Sequence, residues 1–180
     1  MKRVRLRYEG VRQIVGSSED LSIVLLTDEQ RSRAISVVCD SAIAHQIMMR
    51  FNAPGMASTF LPEALLEMVD DELEIMVYGI HEGQYQVVLA DKSYTHSARL
   101  RMSDAVLLMV IRPEVPLYIE SSLMKLQSVP FDENASGIAI PINTMDNQRL
   151  SEALQRAIDT ENYELASHIR DEINNRKQAK

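Results

Sequence analysis

Arg99-Leu100-Arg101-Met102-Ser103-Asp104-Ala105-Val106 is the stretch on which the fold turns. Arginines alternating with Leu100 and Met102 give the two-residue period of a half-buried strand, predicted over Ser97–Met102. Ser103 then opens a helix, Asp104–Ile111, that stops before Pro113. Cys39-Asp40-Ser41-Ala42-Ile43 makes the same handover, from a strand over Ser32–Val38 to a helix reaching about Phe51. Asp40 or Ser41 caps that helix, and Asn52-Ala53-Pro54-Gly55 ends it. Two matching junctions imply two matching halves.

Outward from these junctions, Val4, Leu6 and Tyr8 alternate with Arg3, Arg5 and Arg7 in a first strand. Gly16-Ser17-Ser18 turns the chain into Leu21–Thr27. In the second half, Pro62–Val69 is helical with proline in the first turn, where its missing N–H does no harm. Leu73–Ile80 and Gln84–Ala90 form a hairpin around His81-Glu82-Gly83. A strand over Val115–Ile119 and a helix over Glu120–Gln127 complete the pattern. The expected fold is α+β, a duplicated β-β-β-α mixed-sheet domain over 1–130. A polar, proline-interrupted linker (131–146) and a C-terminal αα-hairpin (147–178) follow.

The composition excludes whole classes. Of 180 residues, 46% are hydrophobic and 25% charged, so the chain is globular rather than disordered. No run approaches the roughly 20 apolar residues that cross a bilayer, so no membrane partner is expected and the expected location is cytoplasmic. A single cysteine, Cys39, excludes an internal disulfide or a multi-thiolate metal site, and reads as a buried thiol. The net charge of −7 excludes indiscriminate wrapping of duplex nucleic acid. Charge is nonetheless unevenly placed. Lys2, Arg3, Arg5, Arg7 and Arg12 oppose only Glu9 at the N-terminus, whereas 63–82 carry acidic residues and no lysine or arginine.

Leu150, Leu154, Ala157 and Ile158 lie on one helical face, and Ala166, Ile169 and Ile173 make a second apolar stripe. Asp159-Thr160-Glu161-Asn162 is the turn between them, with Asn162 as N-cap. About 30 residues bury too little surface to stand alone, so the hairpin needs something to pack against. Asn162-Tyr163-Glu164-x-Ala166-x3-Arg170-Asp171-Glu172-Ile173, led by Leu150-x3-Leu154-x2-Ala157-Ile158, closely resembles the UVR motif of the excision-repair proteins UvrB and UvrC. That resemblance implies a protein–protein contact element, with Tyr163, Ala166, Ile169, Arg170 and Asp171 as its partner-binding residues.

Patterns for dinucleotide binding, P-loop phosphate binding, zinc proteolysis and esterase chemistry are absent. The sharpest chemical signal is the opening stretch itself. Arg99 and Arg101, read as one strand face, would meet a helix N-terminus and the carboxylate of Asp104. The first groups suit a phosphate, and the carboxylate suits a divalent metal or a water. The bland alternative is that Ser103 caps the helix, Asp104 complements its dipole and the arginines are solvated. Arg3, Arg5 and Arg7, spaced by about 6.6 Å, either offer a basic ladder to RNA or DNA or mark an edge strand charged against aggregation.

Arg101-Met102-Ser103-Asp104-Ala105 resembles the Arg-Pro-Ser-Asp-Ala segment of the bifunctional nuclease family, and Ile35–Met48 and Pro116–Ile119 also fit its order of elements. The resemblance implies an α+β domain that hydrolyses RNA and DNA, with Asp104 positioning a divalent metal (Mg²⁺ or Mn²⁺) or water. Arg101 would then stabilise phosphate charge, Ser103 orient the corner, and Arg99 with the Arg3–Arg5–Arg7 ladder hold the strand. Three positions depart from the family. Met102 stands for its proline, Ser58-Thr59-Phe60-Leu61-Pro62 for its Thr-His-Asp, and Ala42 for its first-helix glutamate. The second expectation is therefore a non-catalytic scaffold or regulatory protein that recruits a partner through the hairpin. Methionine-rich helices (Met48, Met49, Met68, Met109, Met124) suggest a homodimer in either case.

Overall fold

The computed structural model describes residues 2–13, 21–53, 55, 57–69, 72–133, 142, 145 and 147–178. The Gly16-Ser17-Ser18 turn and most of the 131–146 linker lie outside the described residues. The first half runs β1 (Arg3–Gln13), β2 (Leu21–Asp28), β3 (Arg33–Asp40) and α1 (Ser41–Asn52), then α2 (Leu61–Glu67). The second runs β4 (Leu73–His81), β5 (Gln84–Asp91), β6 (Ser97–Leu100) and α3 (Met102–Ile111). β7 (Leu117–Glu120), α4 (Ser121–Gln127) and β8 (Val129–Pro130) follow, and α5 (Asn147–Asp159) and α6 (Tyr163–Gln178) close the chain. The architecture is α+β, with a mixed eight-stranded sheet in the order β6-β5-β4-β7-β1-β2-β3-β8.

The two β-β-β-α halves match in detail. Each first strand carries a register shift, at Tyr8/Gly10 in β1 and at Val77/Gly79 in β4. The extra residue lets Tyr8 and Val11 both pack against the core, as Val77 and Ile80 do in β4. Each second strand ends in a buried aspartate. Asp28 accepts the backbone N–H groups of Ser32 and Arg33, and Asp91 those of Thr95 and His96. Within each turn the third residue after the aspartate adopts a left-handed conformation, Arg31 at φ 53° and Tyr94 at φ 55°. The side-chain acceptors replace the sheet bonds that these turns interrupt.

α1 and α3 lie against one another on one face of the sheet. Ala44, Ile47, Ala105 and Val106 pack there with Leu6, Val24, Ile35, Ile75, Val77, Leu117 and Ile119 in a single core. Removal of this apolar surface from water is the main stabilising contribution to the domain. The hairpin has a separate small core of Leu150, Ala157, Ala166 and Ile169. Among the described residues no helix is long and apolar enough to cross a membrane.

Two sequence expectations need correction. β1 is not an edge strand of the sheet: it lies between β7, which pairs with Arg3–Leu6, and β2, which pairs from Leu6 onward. Arg3 and Arg5 therefore do not serve edge protection, and the β7 pairing stops short of Arg7. The chain leaves β6 at Leu100, not Met102. Arg101, extended at φ −72° and ψ 150°, occupies the N-cap position of α3, and Ser103 is inside the helix. Met102 is buried as the first helical residue just as it would be as the last strand residue, so apolar period did not distinguish the two.

Candidate functional site

The Arg101 corner is the N-terminus of α3, and the Asp40 cap of α1 lies within electrostatic range of it. Asp40 caps α1, its Oδ1 accepting the Ile43 N–H at 2.8 Å. At the equivalent place in the second half, Arg101 reaches forward along α3. Its Nε and Nη2 donate to Asp104 Oδ2 and Oδ1 at 2.7 and 3.0 Å, a two-pronged pair on an exposed guanidinium. Asp104, and at longer range Asp40, hold the Arg101 proton more tightly than usual. Sequence reasoning placed Asp40 only as a cap.

The other candidate residues are dispersed. Register runs a row across the sheet from Arg99 through Val88, Met76 and Tyr118 to Arg5, on the face away from α1 and α3. Arg99 therefore does not share a face with the Arg101 corner. It also sits four strands from Arg5, about 19 Å at ordinary strand spacing. Arg3 is occupied: both oxygens of the buried Glu74 accept from its Nη1 at 2.9 and 3.1 Å, and its guanidinium stacks 3.9 Å above the Tyr118 ring. Tyr94 also donates to Glu74. Arg5 lies 3.9 Å from Glu29, and Arg7 is exposed with no ion pair among the described residues. Of the expected ladder, Arg7 is the member without an ion pair among the described residues, and Arg5 is held only loosely by Glu29.

A divalent ion does not fit the corner. Both Asp104 oxygens face Arg101, and among the described residues no three His, Cys, Asp or Glu side chains gather to hold a metal. Cys39 is buried beneath α1, where loss of solvation, and then the nearby Asp40 charge, push its thiol pKa up to about 11. It is a packing group.

Two open cavities lie elsewhere, at the far ends of α1 and α3, and Arg50 lines both. One, of about 550 Å³, is framed by Glu63 and Glu67 of α2 with Arg112 and Glu114. The other, of about 730 Å³, is lined by Tyr8, Phe51, Met109 and Pro113 with Arg5 and Arg7 at its margin. Sequence periodicity gave no sign of either, because their walls come from segments far apart in the chain.

The hairpin turn is built by the residues that carry its sequence signature. α5 ends with Glu161 in a left-handed conformation at φ 57°, the Asn162 N–H bonding the Ala157 carbonyl and the Glu161 N–H that of Ile158. This closes the last turn of α5 in a Schellman arrangement. The Asn162 side chain then accepts the Leu165 N–H at 3.2 Å and caps α6. One residue ends a helix and starts the next. Arg176 pairs with Glu172 and donates to the carbonyls of Met145 and Ile142 at 2.6 and 3.3 Å, tying the approach segment to α6. Arg156 instead donates to the backbone carbonyl of Glu152, whose carboxylate takes Gln148. Ala166 and Ile169 are interior to the hairpin, whereas Tyr163, Arg170 and Asp171 are at its surface.

No curated protein matches the chain in sequence. Residues 148–178 match the family described as the UvrB/uvrC motif (UVR), so the C-terminal hairpin is similar to that motif over nearly its whole length.

Proposed function

We propose that this chain is a protein-recruiting factor whose C-terminal hairpin docks on another protein. The observation that supports this is the division of the UVR-like residues between two roles. Ala166 and Ile169 close the hairpin's own core, while Tyr163, Arg170 and Asp171 stay in solvent on the same element. An exposed tyrosine and arginine on a rigid helix are the residue types that dominate protein contacts. In UvrB and UvrC, which the hairpin resembles, the motif serves protein contact. Capture of partners on the immobilised full chain tests this reading. A protein held by the wild type is expected to be lost with Tyr163→Ala/Arg170→Ala, helix content unchanged. Equal capture by both proteins moves the contact elsewhere and overturns the proposal.

A second reading, phosphodiester hydrolysis on RNA or DNA, is favoured by one observation: the solvent-exposed Arg101 at the N-terminus of α3 is paired through two hydrogen bonds with the carboxylate of Asp104. A guanidinium there binds a phosphate by displacing a carboxylate, and the freed carboxylate is placed to accept a proton from water. The departures from the bifunctional nuclease pattern at Met102, Ala42 and Ser58–Pro62 weigh against it. Cleavage of single-stranded RNA or DNA, with and without Mg²⁺ or Mn²⁺, that vanishes in Asp104→Ala would establish hydrolysis. Cleavage unchanged by that substitution belongs to another site or a contaminant.

A further inference from the structure

α2 is short and has no buried residue. Seven residues lie well below the length at which a helix is stable in water, so tertiary ties must hold it. Those ties are polar: the Arg50–Glu63 pair, and Arg112 donating to the Leu66 and Val69 carbonyls at its C-terminus. Its apolar side chains face outward, with Leu61 71%, Leu65 54% and Met68 81% exposed. Phe60 adjoins them, its ring 5.4 Å from the Arg50 guanidinium, and Phe51, 59% exposed, follows Arg50 at the end of α1. Large apolar side chains left in water on one short helix mark a contact surface.

The same surface contains the complement of α2. Phe51 packs at a tilt against Tyr8, ring centroids 4.9 Å apart, in the wall of the 730 Å³ groove, which Met109 and Pro113 also line together with Arg5 and Arg7. The ridge carries Glu67, exposed and without an ion pair among the described residues, and the groove carries Arg7 in the same condition. A two-fold interface requires one patch to hold both halves of each contact. We propose that a second copy of this chain covers this surface, each copy's α2 seating in the other's groove, with Leu65 and Met68 against Phe51 and Met109 and Glu67 facing Arg7. Apolar ridge in apolar groove and acidic helix against basic strand both select this chain as its own partner. The proposal is independent of what the hairpin binds.

Sedimentation of the full chain from about 1 to about 100 µM tests it. The wild type is expected at twice the 20.4 kDa chain mass. Leu65→Glu/Met68→Glu is expected to weaken association by about tenfold or more. Both positions are exposed, so circular dichroism should not change. Glu67→Arg and Arg7→Glu should each weaken the dimer, and the two together should recover most of the loss. A wild type that stays monomeric across the range overturns the proposal. So does a dimer indifferent to the α2 substitutions, or a charge exchange that recovers nothing.

Discussion

Arg50 of α1 and Glu63 of α2 form a two-pronged ion pair, with Nε and Nη2 donating to the two carboxylate oxygens at 2.5 and 3.1 Å. Arg50 is buried, and its remaining Nη1 hydrogens go to the Gln46 side chain and carbonyl. A buried arginine is tolerated because its donors are met. The pair also decides the surface of the molecule, since it positions α2 and stands between the two cavities.

Removing one partner should therefore cost far more than the contact itself. Glu63→Ala is expected to destabilise the protein by about 2–4 kcal/mol, because it leaves a desolvated guanidinium short of an acceptor. Arg50→Met/Glu63→Leu, which removes both charges, should cost less than Glu63→Ala. Urea titration of the three proteins checks the order.

Asp28 links stability to pH. Burial works against its charge, but the Ser32 hydroxyl and N–H, the Arg33 N–H and the Arg33 charge outweigh it and hold the carboxyl below its usual value. A lowered folded-state pKa contributes stability above the unfolded value of about 3.9, and that contribution is lost as pH falls through the folded-state value. Asp28→Asn is expected to lose about 1–2 kcal/mol at pH 7 and to flatten the acid limb of stability against pH. Thermal melts between pH 2 and pH 7 show whether it does.

The raised Cys39 pKa predicts an inert thiol. With ionisation displaced to about 11, its thiolate fraction at pH 8 is lower than that of a free cysteine by roughly 100-fold. Reaction with a chromogenic disulfide should be slow in the native protein and rapid in denaturant. Fast native labelling would show that α1 opens readily from the sheet.

Within the hairpin, interior and surface should separate cleanly. Ile169→Ala removes a fully buried side chain from a four-residue core and is expected to cost the hairpin about 2–4 kcal/mol. Tyr163→Ala should leave stability within about 0.5 kcal/mol, since that ring is in water. Amide exchange across 147–178 distinguishes the two outcomes.

Local pattern carried the elements because each depends on near neighbours. Val4-x-Leu6-x-Tyr8 marked β1, Asp40 marked the start of α1, and Glu161-Asn162 marked the hairpin turn. The Arg101 junction was legible as a strand-to-helix handover but only partly in its geometry. The expected meeting of Arg101 with the Asp104 carboxylate is present, but side-chain period did not reveal that Arg99 would face away from them.

Alone, the sequence determined an α+β domain of two like halves and a UVR-like hairpin, since propensity, capping and apolar period act over a few residues. Only the tertiary structure decided that β1 is central, that Arg3 is consumed by Glu74, and that α2 stands apolar side outward. Those outcomes rest on contacts between residues dozens of positions apart. Strand order and charge pairing at that range follow from how the whole apolar surface is buried, which no single stretch of sequence encodes.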